Sequence, residues 1–336
     1  MVTRTLPAAA AVAAEPGRPL AEGSDDARLL TARLVRARRP GQWVITAVLL
    51  VLMAMLINTL VTNERFQWPV VGKYFLSRSI LDGLLLTLWL TASVMVCGFL
   101  LGIGLAAMRL SSNKILSSLS FGYVWIVRSV PPLVQILFWY ELASLYPKLS
   151  LGIPFGPEFV TVETAHLFSG VLAAFVGLTI DVAAFSAEIV RGGILSVDRG
   201  QTEAAEALGL SRFRIFRRIV LPQAMPAIVP ASGNMLIGLL KATSIVSVIA
   251  VQDLLYSVQL IYQQNYRILP LLMVATIWYI IVTTILSVGQ YFVERHYSRG
   301  TRGDRPGGFR RIVTENLTIF GRLRANLRDL DRKAPA

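Results

Sequence analysis

The chain carries a single cysteine, Cys97, and two histidines in 336 residues. One cysteine excludes an intrachain disulfide framework, and so few thiol and imidazole groups leave no ligand set for zinc or for redox chemistry. Charge is scarce too. Asp, Glu, Lys and Arg make up 16% of the chain, 54% is hydrophobic and the mean hydropathy is +0.58, whereas soluble domains carry about 25% charge. That deficit points to a membrane protein before any segment is inspected. No G-x-x-x-x-G-K-[ST] occurs, so a phosphate-binding loop of that kind is absent.

What is present is a series of long apolar runs. A span needs about 20 predominantly apolar residues at 1.5 Å rise each, and six stretches qualify, near 43–62, 83–107, 119–145, 167–190, 226–252 and 269–293. Their lengths fit helices, since barrel strands alternate over about ten residues. The expected class is therefore an all-α membrane protein with six transmembrane helices. Lys and Arg number 26 in the N-terminal 41 residues and the segments 108–118, 191–225 and 294–336, against five in 63–82, 146–166 and 253–268. By the positive-inside rule both termini are expected to be cytoplasmic.

The first 27 residues are rich in Ala, Pro and Gly and lack the bulk for a core. "PAAAAVAA" is too short and too weakly apolar for a signal peptide. "RLVRARRP" just before the first span reads as an orientation anchor. The tail contains "NLTIFGRLRANLRDL", read either as a weakly amphipathic segment resting on anionic lipid or as a mobile basic tail.

One loop breaks the apolar pattern. "EAAEALGLSRFRIFRRIVLP", residues 203–222, places four arginines within seven residues. Gly200 to Leu208 is good helix former material, Gly209 suits a C-terminal turn, and Ser211 suits the cap of a second helix that Pro222 is expected to close. Phe213, Phe216 and Val220 share one face of it, and the arginines lie elsewhere. A DNA-reading helix-turn-helix belongs to a domain free to enter a major groove, which a loop tethered between two spans is not, so no nucleic acid partner is expected. A lipid-surface helix accounts for the arginines but leaves the small Glu-Ala-Ala face ahead of the glycine without a role.

Glu203-Ala204-Ala205, three residues, Gly209, nine residues, Ile219, one residue and Leu221-Pro222 resemble the EAA loop of permease subunits of ABC importers. "GLLLTLWLTAS", "RSVPPLVQILFWY", "AEIVRGGILSVDRGQTEAAEALGLS" and "LLKATSIVSVIAVQDLL" are similar to the polar amino acid branch, the permeases for His, Glu, Gln, Arg and opines. The resemblance implies a five-helix permease core over 80–296 with a coupling loop at 199–222, preceded by a basic segment 1–41 and an extra helix 42–62, and followed by a basic tail 297–336. It further implies a separate ABC ATPase that binds the ATP, so no cofactor of the chain's own, and a second permease subunit, identical or related. A soluble substrate-binding protein is implied as well, with the lipid bilayer as the setting. Glu203, Ala204, Ala205, Gly209, Ile219, Leu221 and Pro222 would be the ATPase-coupling residues.

Polar residues inside spans mark a path or a pairing, since a charge at mid-span costs about 2.5–3.5 kcal/mol on insertion scales. Asp181, Glu188 and Arg191 lie at spacings of seven and three on the fourth span, and Arg128 and Gln135 seven apart on the third. Gln135, Asp181, Lys241, Thr243 and Ser244 are the candidates for the substrate cavity. The alternatives are that Lys241 is satisfied by snorkelling or by a carboxylate on a neighbouring span such as Asp181, and Gln135 by a helix–helix hydrogen bond. Arg128 and Glu188 are expected to form a structural ion pair. Pro131-Pro132 should break or kink the third helix. A membrane enzyme built on Asp181 and Glu188 is disfavoured, because seven helical residues separate them by about 10.5 Å. Against the branch's K-D-T-S, Ala242 removes a carboxylate, and Asp181 stands where many relatives are uncharged. The first change argues against arginine as substrate and the second partly offsets it, which on balance favours a zwitterionic or acidic amino acid.

Overall fold

The computed structural model describes residues 40–153, 158–164 and 169–297. The N-terminal segment with its basic anchor and the tail from 298 lie outside them. The chain divides into two units at Asn63/Glu64. The described part of the first is one helix, α1 (Pro40–Thr62). It is apolar all round, its aliphatic side chains from Val44 to Ile57 are exposed, and Thr59 and Thr62 return their hydroxyls to carbonyls one turn back. Those hydroxyls are thus satisfied within the helix, as lipid demands.

The second unit begins with α2 (Trp68–Phe75), α3 (Arg78–Arg109), α4 (Lys114–Ser129), α5 (Pro132–Tyr140) and α6 (Leu142–Leu145). A two-stranded antiparallel hairpin follows, β1 (Lys148–Gly152) with β2 (Glu158–Glu163), in register Lys148 to Glu163. Then come α7 (Gly170–Leu195), α8 (Arg199–Ala207), α9 (Arg212–Ile215), α10 (Leu221–Ala242), α11 (Leu254–Asn265) and α12 (Ile268–Tyr297). The hairpin is the one departure from the all-α expectation among the described residues.

Five helices are long and apolar enough to cross a membrane, and a sixth crossing exists only if α4 and α5 are taken as one broken span, bent by 98°. The break is where the prolines stand. Val130 and Pro131 adopt extended ψ of 128° and 139°, as residues preceding proline do. The fifth expected span starts earlier than its apolar run, because α9, a π-helical turn Phe216–Val220 and α10 are continuous from Arg212. Pro222 therefore does not close a helix. It is the second residue of α10, directly after the π-helical turn and inside the continuous helix.

Lipid tails are as apolar as Leu, so helices in membranes associate through close packing of small residues. α7 is the centre of that packing. A Cβ on Gly98 would lie 2.6 Å from Val182 Cγ1, and one on Gly102 only 2.3 Å from Ser186 Cβ, so the Gly98-x-x-x-Gly102 face lets α3 sit directly on α7. Gly177 and Gly193 admit Ile136 and Ile228 in the same way, at 2.9 and 2.3 Å. Tyr123 donates its hydroxyl to Ile180 O at 2.9 Å, tying α4 to α7. α2 is held to α12 by a Phe75–Trp278 stack at 4.7 Å and a bond from Trp278 Nε1 to Phe75 O at 3.0 Å.

Candidate functional site

The basic loop forms a helix, a tight turn and a second helix. Asp198 caps α8 by accepting from Gly200 N. Gly209 ends the turn at φ +74°, and Gly209 N donates to Glu206 O while Leu210 N donates to Ala205 O. That pair of bonds is the Schellman arrangement, which wants a left-handed residue and hence glycine. Ser211 holds the cap position of α9, but its hydroxyl makes no capping bond. Ala205 and Ile215, each 3% exposed, lie at the packed side of the two helices. Glu203, Ala204, Gly209 and Pro222 face out, and Ile219 and Leu221 are half-buried. Leu208 and Phe213, 81% and 72% exposed, stand on either side of the glycine turn. Two apolar side chains held out on a rigid turn form a knob that a cleft can receive; the expected docking set did not include them.

The candidates for the cavity separate into several places. Lys241 and Ser244 line an open pocket of about 490 Å³, completed by Thr276, Tyr279, Ile280, Thr283 and Thr284 of α12. Its walls carry one ammonium, five hydroxyls and no carboxylate. Tyr279 Oη is buried with no hydrogen-bond partner. The α12 hydroxyls were readable beforehand, since Thr276, Tyr279 and Thr283 recur at helical spacing in an apolar run. Thr243 is not in the pocket; it is fully buried and donates to Leu240 O at 2.7 Å. Ser244 and Ser247 return their hydroxyls likewise to Lys241 O and Ser244 O. This back-bonding competes with the α-helical ladder, and the chain tightens to a 3-10 helix over Thr243–Ile249.

Gln135 stands at the helix break rather than in a cavity. Its Nε2 donates to Val127 O and Val130 O, both at 2.9 Å, and so satisfies the Val130 carbonyl that the break leaves free and adds to the bond that Val127 O accepts from Val130 N. Asp181 lies on α7 toward α4, within the field of Arg128 and beside Tyr123, and forms no ion pair with Lys241. The expected Arg128–Glu188 pair is absent as well. Glu188 is instead clasped by Arg191 one turn on, at 2.7 Å with two further bonds at 3.2 Å, and the Arg128 guanidinium rests 4.8 Å over the Phe185 ring. A pair within one helix needs no agreement between two helix rotations.

Outside the spans, Asp253 caps α11 by accepting from Tyr256 N at 2.8 Å, and its charge reaches Tyr279. Burial pushes its carboxyl up to about 6, against the opposing pull of the amides at the helix start. Thr87 of α3 accepts from Leu254 N and holds this corner in place.

Five unbroken spans and one broken pair, among them one small-residue helix on which others pack, with a polar pocket beside them and an exposed knob between two of them, form a multi-span membrane subunit. The chain belongs to the family of inner membrane components of binding-protein-dependent transport systems, whose pattern it matches over residues 98–299. It is 40% identical over 267 residues to an arginine transport system permease protein of Corynebacterium glutamicum, covering 79% of this chain and 82% of that one. A nopaline transport system permease protein of Agrobacterium fabrum is 34% identical over 66% of this chain and 90% of its own length. Among solved structures, an amino acid ABC transporter with histidines aligns at TM-score 0.56 and 32% identity over 65% of this chain and 94% of that chain. The MetNI methionine ABC transporter shares the fold, at TM-score 0.50 and 21% identity over 66% of this chain and 97% of that one. The chain is a multi-span permease subunit of an ABC importer in the inner membrane, and its family is one of transport subunits that work with an ATPase and a substrate-binding protein.

Proposed function

We propose that this subunit passes a polar amino acid along the Lys241 pocket, with the Lys241 ammonium receiving the α-carboxylate and the hydroxyls of Ser244, Tyr279 and Thr283 completing its solvation. The observation that carries this reading is the pocket's composition, one cation among hydroxyls without an acid. Such a wall favours an anionic group and leaves an added positive charge unmatched, so a zwitterionic or acidic amino acid fits it best. A second reading, a cationic amino acid, is favoured by the 40% identical arginine permease. Its extra charge would then be met by the second permease, since Asp181 faces α4 rather than this pocket.

The pocket is open on one side, and a second permease subunit, identical or related, would complete the path. Glu203, Ala204, Ala205, Gly209, Ile219, Leu221 and Pro222, with the Leu208–Phe213 knob, form the element offered to a cytoplasmic ATPase, which supplies all nucleotide chemistry. Both termini are assigned to the cytoplasm from the 26 to five distribution of basic residues. Radiolabelled glutamine, glutamate and arginine uptake by the reconstituted complex with its binding protein tests the assignment. Lys241→Met should lower uptake about tenfold or more, on the order of 1.4 kcal/mol, with the ATPase still bound and the melting temperature unchanged. Undiminished uptake removes the pocket assignment, and arginine as sole substrate selects the second reading.

A further inference from the structure

A larger groove, about 820 Å³, runs between α3, α7, α10 and α12, apart from the Lys241 pocket. Phe99, Ile194, Phe216, Met225 and Ile285 are among its walls. Its polar members are already engaged: Ser232 Oγ donates to Ile228 O at 2.8 Å, and Gln290 Nε2 donates to Glu294 Oε1 at 2.6 Å and Asn234 Oδ1 at 3.2 Å. The groove therefore carries no charged side chain and no uncommitted donor for the carboxylate of an amino acid. Along α10 it extends from Leu221 to Ile237, about 24 Å at 1.5 Å per residue, and half of a hydrocarbon core is about 15 Å. One leaflet's chain fits that length.

Its mouth is basic. Phe216 and Leu221, both in the wall, are five residues apart across the π-helical turn, a spacing that returns to one face of such a turn. Between them stand Arg217 and Arg218, exposed, and Arg295 and His296 are exposed at the matching end of α12. The one acid there, Glu294, is held by Gln290. Were a second copy to cover this face about a twofold axis, the same basic mouth would meet itself, and like charges would oppose the contact.

We propose that the groove holds one acyl chain of an anionic phospholipid, whose headgroup rests on Arg217 and Arg218. The leaflet, though not the lipid, rests on the cytoplasmic placement of the coupling loop given above. A phosphodiester is recognised by arginine at short range, and each basic residue near a headgroup favours anionic lipid. Because the arginines directly precede the first turn of α10, a lipid seated there would brace the helix that leads from the coupling turn into the membrane.

The test is a titration of the delipidated, purified complex in detergent micelles with phosphatidylglycerol or phosphatidylcholine, followed by melting temperature. Phosphatidylglycerol should raise it saturably, at about tenfold lower concentration than phosphatidylcholine. Gly289 lines the groove and a Cβ there would meet nothing within 4 Å, so Gly289→Phe fills the space without backbone strain and should abolish the rise with both lipids. Ile285→Trp provides the same block should the first variant misfold. Arg217→Gln with Arg218→Gln should bring phosphatidylglycerol down to the phosphatidylcholine level. Equal response to the two lipids in the unaltered protein overturns the proposal, as does a rise that survives both blocking variants. Separation of the permease subunits by Gly289→Phe on size exclusion would assign the groove to a subunit contact instead. Micelles have no leaflets, so these outcomes are independent of the orientation, which a reporter fused at Lys333 decides.

Discussion

Gly209 offers a test in which the backbone alone is varied. Its φ of +74° puts it in the left-handed region, and a Cβ there would meet nothing within 4 Å. Gly209→Ala thus incurs no clash, only the left-handed penalty of about 1–2 kcal/mol. The turn can shed that penalty only by giving up the bonds from Gly209 N and Leu210 N that fix α8 against α9, and with them the outward set of Leu208 and Phe213. If the ATPase binds this turn as a preformed knob, its affinity should fall by a factor of roughly 5 to 30, the equivalent of one to two kcal/mol. Gly209→Asn is the control, since asparagine is tolerated at this position of a helix end; it should bind the ATPase nearly as the unaltered protein does. The assay is titration of the detergent-solubilised permease with purified ATPase subunit, with melting temperature recorded in parallel. Ala and Asn variants that behave alike, or an Ala variant with unchanged affinity, would refute the reasoning that the left-handed turn presents the docking surface.

Gly102→Leu should prevent α3 from seating on α7, because even a Cβ would stand 2.3 Å from Ser186 Cβ; loss of the cooperative melt is expected, beyond the about 1–3 kcal/mol of ordinary overpacking, while Gly104→Ala, which meets nothing within 4 Å, should melt as the unaltered protein does. Gln135→Leu strands Val130 O at the helix break, while Val127 O keeps its bond from Val130 N, so it should destabilise by about 1–3 kcal/mol, measured by denaturation in mixed micelles. Asp253 has a folded-state carboxyl raised to about 6, so its contribution to stability is full below the unfolded value near 4 and is lost as pH rises through 6. Asp253→Asn retains a capping side chain and should flatten the decline in melting temperature between about pH 4 and 6; an unchanged slope would exclude Asp253 as its source.

Much of the scaffold was legible from residue order. The five unbroken spans follow from apolar length, the 98° break from Pro131-Pro132, and the turn at Gly209 from a glycine placed after a helix-forming run. The spacing from Glu203 to Pro222 points to the family whose pattern matches residues 98–299. Two further signals lay in plain view: Gly98-x-x-x-Gly102 as a helix contact, and the hydroxyl stripe Thr276, Tyr279, Thr283 as one wall of a polar pocket.

Tertiary structure decided which polar groups meet. From sequence, Glu188 had two cationic partners available, and only the packed rotation of α4 against α7 sends Arg128 to Phe185 and leaves Glu188 to Arg191. Gln135 reads as a cavity residue until the bend of α5 brings its amide back under the carbonyls of α4. Asp181 and Lys241 were candidates for one site, yet they face different neighbours, α4 in one case and α12 in the other. The physical reason is common to all three. Apolar length and charge bias are sums along the chain and survive any rotation of a helix about its axis. A contact between side chains depends on that rotation, which close packing at Gly98, Gly102, Gly177 and Gly193 fixes only once the helices are together.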